Sequence, residues 1–267
     1  MTRTPAPLWT DPPRRPRAAG WLAPIVGLAL LAATCPSAAS HAPPRIGTPG
    51  MLQPHTGSLL VDYYEAFLRD QDIEAFRRNV STRYNEGTLA RLLRSGELQA
   101  RRASVLALGL FGGFGSNAAV ARGLRDPDPT VRTLADNALW AIWFRADTAE
   151  NNEALERVRS LVNRRRFDEA VEQADRLIGR SPDFAEAYNQ RAIARFSQGR
   201  FAESAEDCRL VLERNPYHTG ALGGMGQCLL RLGRRDEAIR AFRQSLKLQP
   251  YNEGLRQAIA EIEASDR

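Results

Sequence analysis

The chain has 267 residues, 43% of them hydrophobic, and a formal charge of +6. That apolar share can build a substantial core and excludes disorder throughout. The positive charge is a poor argument for nucleic acid: Arg3, Arg14, Arg15, Arg17 and Arg45 face only Asp11 in the first fifty residues, and the remainder is nearly balanced. Basic residues are almost all arginine, with Lys247 the exception, which we read as coding bias rather than function.

In chain order, Arg14, Arg15 and Arg17 precede "WLAPIVGLALLAAT", an apolar run too short to span a bilayer, and "SAASHA" follows as a cleavage site. Residues 1–42 therefore read as an export signal, with an uncleaved membrane anchor as the competing reading. Cys35 in "LAATC" raises acylation, against which Thr34 stands where a smaller residue is preferred. The expected compartment is exported: periplasmic, or membrane-anchored and facing outward. Residues 43–57 are rich in Pro and Gly and read as a flexible linker. From Ser58 the texture is helical to the end, and no convincing alternating strand is found. In "SLLVDYYEAFLRDQDIEAFRR", Leu60, Tyr64, Phe67, Leu68, Ile73 and Phe76 form the stripe of an amphipathic helix.

Two repeats follow. "ARRASVLALG" from Ala100 overlays "VRTLADNALW" from Val131, placing Ala107 on Ala138 and Leu108 on Leu139, and "GLRDPDPTVR" supplies a turn through Asp126, Pro127, Asp128 and Pro129. This pattern resembles short HEAT-like repeats and is expected to cover 58–147. Between the two copies, "GLFGGFG" lacks the Gly-Lys-Ser/Thr of a phosphate loop. It reads as an inter-helix turn whose two Phe tuck into the stack.

The second repeat is stronger. "RFDEAVEQADRLIGRSP" at Arg166 returns as "RFAESAEDCRLVLERNP" at Arg200 and "RRDEAIRAFRQSLKLQP" at Arg234. Pro182, Pro216 and Pro250 recur every 34 residues, as do Phe167 and Phe201, Gly199 and Gly233, and the small Ala170, Ser204 and Ala238. This resembles the tetratricopeptide repeat, with units at 151–184, 185–218 and 219–252 and "YNEGLRQAIAEIEASD" as a closing cap helix in a domain spanning 148–267. The fold class is therefore all-α, a right-handed superhelical solenoid of antiparallel helix pairs, HEAT-like first and tetratricopeptide after. "NQRA" at Asn189, together with Ser204, Asp207, "NPYH" and "GALGG", is similar to small exported bacterial members of unassigned activity.

The resemblance implies a concave groove lined by the first helix of each repeat, at the second, fifth, ninth, twelfth and thirteenth positions. The resulting candidates for a protein or peptide partner are Arg159, Glu186, Asn189, Ile193, Phe196, Gly223, Gln227, Leu230 and Arg231, with His218 at the lip. Chaperone-binding members clamp a C-terminal carboxylate with Lys at the fifth position and Asn at the ninth. Here the fifth positions are Leu155, Asn189 and Gly223, and the ninth Arg159, Ile193 and Gln227, so that specificity does not transfer.

Arg191 stands where the family packs an apolar residue, and Asp207 is its expected partner in a buried ion pair. The helical glycines of "HTGALGGMGQ" call either for close packing or for a groove floor open to a partner's backbone. Cys208 and Cys228 are on neighbouring helices and form either free thiols or a bridge. Scattered His41, His55 and His218 assemble no zinc site or triad, and no cofactor, metal or nucleic-acid partner is expected. The leading functional reading is a non-catalytic scaffold. A membrane-tethered assembly or secretion factor and an enzyme using Arg191, Asp207 and His218 are the alternatives.

Overall fold

The computed structural model describes residues 58–264, which form thirteen α-helices and one short 3-10 turn, with no strand among the described residues. The expected signal or anchor at 1–42, the linker at 43–57 and Cys35, His41 and His55 lie outside the described residues.

The first half contains α1 (Leu59–Asp70), α2 (Ile73–Ser81), α3 (Glu86–Ser95), α4 (Leu98–Phe111), α5 (Asn117–Gly123) and α6 (Pro129–Trp143). The amphipathic stripe expected to run from Leu60 to Phe76 is broken into two helices. Gln71 turns left-handed at φ 59 and donates its N–H to Phe67 O, and the Asp72 side chain accepts from Ala75 N to start α2. The apolar face survives the break: Tyr64, Phe67 and Phe76 meet with ring centroids 5.8–6.3 Å apart. Helices α4 and α6 pack centrally and bury Leu106, Ala107 and Leu108 beside Leu134, Ala138 and Leu139. The Asp-Pro turn is tied to α4 by paired charges, Arg101 to Asp126 and Arg102 to Asp128, both at 2.8 Å. Asp128 also caps α6 by accepting from Val131 N, with Pro129 in the first turn, where its missing N–H costs nothing.

Of the two Phe in "GLFGGFG", Phe111 packs on the core, but Phe114 is 40% exposed. The reason is local. Glu86 accepts from Gly113 N and Ser116 Oγ, which fixes the 3-10 turn at Phe114–Ser116 and leaves the Phe114 ring outside the stack.

The second half is a run of hairpins: α7 (Ala149–Asn163) with α8 (Phe167–Arg180), α9 (Ala185–Ser197) with α10 (Phe201–Arg214), and α11 (Thr219–Arg231) with α12 (Arg235–Leu248). Helix α13 (Glu253–Ala264) closes the last pair by setting Leu255 and Ile259 against Ala238 and Phe242. Each hairpin turns the same way. The N–H of Gly199 bonds Phe196 O and that of Arg200 bonds Arg195 O, and the pattern repeats at Gly233 and Arg234. In the first hairpin Arg165 and Arg166 make the equivalent bonds.

The turn residue is left-handed in all three, at φ 80 for Gly199, 73 for Gly233 and 62 for Arg165. Only Arg165 carries a Cβ there, at a strain of roughly 1 kcal/mol. Arg165→Gly is therefore expected to raise stability by about 0.5–1 kcal/mol in urea denaturation. A loss of stability would show that the Arg165 side chain contributes more than its backbone strain removes.

Candidate functional site

His218, expected at the lip of an open groove, is fully buried. It caps α11: Nδ1 accepts from Ala221 N at 3.0 Å, which leaves the ring proton on Nε2 to be donated to Glu186 Oε2 at 2.9 Å. The other oxygen of Glu186 accepts from Asn189 Nδ2 at 2.8 Å and Gln190 Nε2 at 2.9 Å. Trp143 of α6 stacks on the imidazole at 4.0 Å, and Trp140 meets it edge-on at 5.7 Å. Trp143 Nε1 donates to Asn117 Oδ1, and Asn117 Nδ2 donates to Asn215 Oδ1 at 2.7 Å. One buried polar network thus joins α5 and α6 to α9, α10 and α11.

That junction changes the expected groove. Glu186 lies beside Trp143 of α6 and Phe114, Asn189 is wholly buried against Glu186, and Ile193 and Phe196 pack with Cys228, Val162 and Phe201 between repeats. These four, with His218, are buried by the chain's own packing, so they are not a free lining for a partner. For Glu186 and His218 the cause is that α6 lies against the N-terminal ends of α9 and α11, whereas Ile193 and Phe196 are covered by the neighbouring repeats. Trp140 Cζ2 stands 3.4 Å from where a Cβ on Gly220 would be. Of the remaining candidates, Arg159, Gln227 and Leu230 are half-buried and Arg231 is exposed. Arg159 is paired with Glu156 at 2.7 Å, and the Arg231 guanidinium lies over the Phe196 and Phe201 rings.

Arg191 does pair with Asp207, at 2.6 Å, and the pair belongs to a larger cluster. Arg195 NH1 donates to the other Asp207 oxygen at 2.8 Å, and Arg191 reaches back to Asp175 on α8. Burial pushes the Asp207 carboxyl above its usual value, and the two guanidinium groups pull it back. Cys208 and Cys228 are free thiols, both buried; hydrogen bonding to Cys228, together with burial, pushes the Cys208 thiol well above its usual value.

Beside the junction is a cleft of about 430 Å³, walled by Arg132, Thr133, Asp136 and Trp140 of α6, by the start of α11, and by Ser245, Gln249, Tyr251 and Asn252 at the corner between α12 and α13. The glycines of α11 divide their work here. A Cβ on Gly226 would stand 2.4 Å from the buried Phe242 ring, so this glycine serves close packing. A Cβ on Gly223 would meet nothing within 4 Å, so this one forms open cleft floor. Gly226→Ala is expected to cost about 1–3 kcal/mol through overpacking, and Gly223→Ala to gain up to about 1 kcal/mol from helix propensity. Thermal unfolding of the two variants side by side checks the division, and equal effects would refute it.

Asp136, on the α6 wall, makes one long hydrogen bond, from Gln249 Nε2 at 3.4 Å, and burial pushes its carboxyl up to about 6. A raised folded-state pKa means that folding favours the protonated acid, so stability is lost as pH rises from about 4 through about 6. Two pKa units correspond to roughly 3 kcal/mol, which water in the cleft reduces to about 1–2 kcal/mol. Asp136→Asn is accordingly expected to raise stability by that amount at pH 7.5 and to leave it unchanged near pH 4, as followed by urea denaturation at both pH values. A gain that is equal at the two pH values would show that it does not arise from ionisation.

The geometry defines a helical-hairpin repeat protein with a lateral cleft and no assembled catalytic group among the described residues. Tetratricopeptide repeat models match residues 155–219 and 195–262, and this part of the chain consists of tetratricopeptide repeats. A TPR repeat-containing protein of Rhizobium etli is 29% identical over 126 residues, covering 47% of this chain and 62% of that protein. Hsp70-Hsp90 organizing protein 1 of Glycine max is 26% identical over 120 residues, 43% of this chain and 21% of that protein. The chain thus spans less than two thirds of either relative. Among solved structures, the first TPR of Spaghetti bound to an HSP90 peptide is 23% identical, with 45% of this chain and 94% of that chain covered and a TM-score of 0.43. A thermophilic TPR protein of Thermus thermophilus is 18% identical, with 77% and 96% covered and a TM-score of 0.35.

Proposed function

We propose that this protein is a non-catalytic protein-interaction scaffold that takes an extended partner segment into the cleft between α6, α11 and the α12–α13 corner. Tetratricopeptide proteins are interaction scaffolds, and the observation that carries the reading here is the cleft itself. Its volume falls within the range of binding sites, and its glycine floor admits a partner's backbone. The reading moves the contact surface from the deep groove positions, which are packed shut, to Trp140, Gly223, Gln249 and Asn252. Arg159, Gln227, Leu230 and Arg231 stay as contacts for a longer ligand. The enzyme alternative has less support: Arg191 and Asp207 neutralise one another, His218 caps a helix, and none of the three lines the cleft.

Affinity capture with the tagged protein, beside a Gly223→Leu variant whose side chain projects into the cleft, tests the reading. Partners retained by the wild type and lost by a variant of unchanged unfolding temperature are expected; identical lists would move the working surface elsewhere. We further read the N-terminal pattern as an export segment, to be checked by the mature N-terminus of protein recovered outside the cytoplasm.

A further inference from the structure

We propose that the cleft is a receptor for a cationic side chain, the ammonium of a Lys or the guanidinium of an Arg on a partner peptide, with Asp136 as its anchor. This rests on the scaffold reading and names its ligand chemistry.

The fold supplies five other secluded carboxylates with partners. Asp207 receives two arginines, Glu186 accepts three hydrogen bonds, and Asp126 and Asp128 each hold an arginine. Asp147 accepts from Thr148 N, Asn151 Nδ2 and Ser181 Oγ. A buried carboxylate requires such partners, because an ionised group with about four acceptor sites is costly to desolvate. Half-buried Asp136 departs from this pattern with a single 3.4 Å contact and no ion pair among the described residues, and it stands on the wall of the cleft.

The arginine that lines the same cleft is engaged elsewhere through one of its nitrogens. Arg132, one turn earlier on α6, donates NH1 to Asp126 O and Pro127 O, both at 2.8 Å, and lies 4.1 Å over the Tyr251 ring. The amide oxygens of Gln249 and Asn252 are occupied too, accepting from Asn252 Nδ2 and Leu255 N. The acceptor capacity left in the cleft is therefore the Asp136 carboxylate, with the Thr219 and Ser245 hydroxyls beside it. Trp140, one turn beyond Asp136, adds an aromatic wall of the kind that attracts cations. A cation entering here supplies the missing charge and hydrogen-bond donors, whereas an anion would meet an uncompensated acid. The site thus has the polarity opposite to a clamp for acidic tails.

The test uses the full chain and four acetylated, amidated hexapeptides identical except for one central residue: Lys, Arg, norleucine or Glu. Calorimetric titration is expected to show the Lys and Arg peptides binding at least about tenfold more tightly than the norleucine peptide, an effect of roughly 1.4 kcal/mol, with the Glu peptide weakest. Asp136→Asn, a variant expected to fold more stably than the wild type, should erase the difference between Lys and norleucine. Equal binding of the Lys and norleucine peptides overturns the cationic anchor and leaves the scaffold reading standing. A Lys preference that persists in Asp136→Asn also overturns it, by placing the anchor elsewhere. If no peptide binds, the inference falls; if Gly223→Leu also leaves the captured partners unchanged, the scaffold reading falls with it.

Discussion

Asp207→Ala is expected to lower stability by about 3–5 kcal/mol, because it strands two guanidinium groups that the fold has taken out of water. The Arg191 and Arg195 side chains are only 12% and 15% exposed, and Asp207 at 1% is the group on which both converge. The partners that remain are half-exposed, Asp175 for Arg191 and, at 3.8 Å, Glu203 for Arg195, so neither replaces a buried carboxylate. The mechanism predicts its own rescue. With Asp207→Leu and both arginines replaced by Met, no buried charge remains unpaired, and most of the loss should return. Urea denaturation of the single and triple variants decides the matter. A single-variant loss under about 1 kcal/mol would mean that the arginines escape to solvent and that the cluster behaves as a surface pair.

Glu186→Ala is expected to cost about 3–4 kcal/mol, since it leaves His218 Nε2, Asn189 Nδ2 and Gln190 Nε2 as buried donors without an acceptor, each unmade bond costing about 1–3 kcal/mol. This loss has a location. His218 is held between Glu186 and the face of Trp143, so freeing the imidazole loosens the packing of α6 on the second half. Altered tryptophan fluorescence and faster proteolysis between Trp143 and Ala149 should accompany the fall in stability. Glu186→Gln, which keeps one oxygen, either for the imidazole or for the two amides, should lose about half as much. Equal losses for the two variants would assign the effect to the charge rather than to the hydrogen bonds.

Much of the second half was legible because a repeat states its own rules. Pro182, Pro216 and Pro250 mark where each second helix has just ended, and Gly199 and Gly233 announced a left-handed turn. Arg191 was legible as a departure from the repeat, and its partner Asp207 followed from reach across one hairpin. Arg195 and Asp175 were missed because both look like ordinary solvated helix residues in the sequence. The cleft was missed for a different reason. It forms between α6 and the third hairpin, more than seventy residues apart in the chain, and repeat periodicity carries only nearest-neighbour information. One sign was present in the sequence. On the register that lays Ala107 over Ala138, Asp136 falls on Val105, which is wholly buried, so an acid had replaced a core valine. The burial of Glu186 and His218 was missed on the same account: family positions give the direction of a side chain on its hairpin, not what the rest of the chain lays over it.

The cross-tie from α5 and α6 to the later hairpins, through Asn117 to Asn215, Trp143 to His218 and Asp136 to Gln249, gives this solenoid a mechanical character. A row of hairpins touching only its neighbours behaves like an open spring, stretching and fraying from its free end. Here a strut bridges the coils, so the third hairpin should melt together with the N-terminal helices rather than before them.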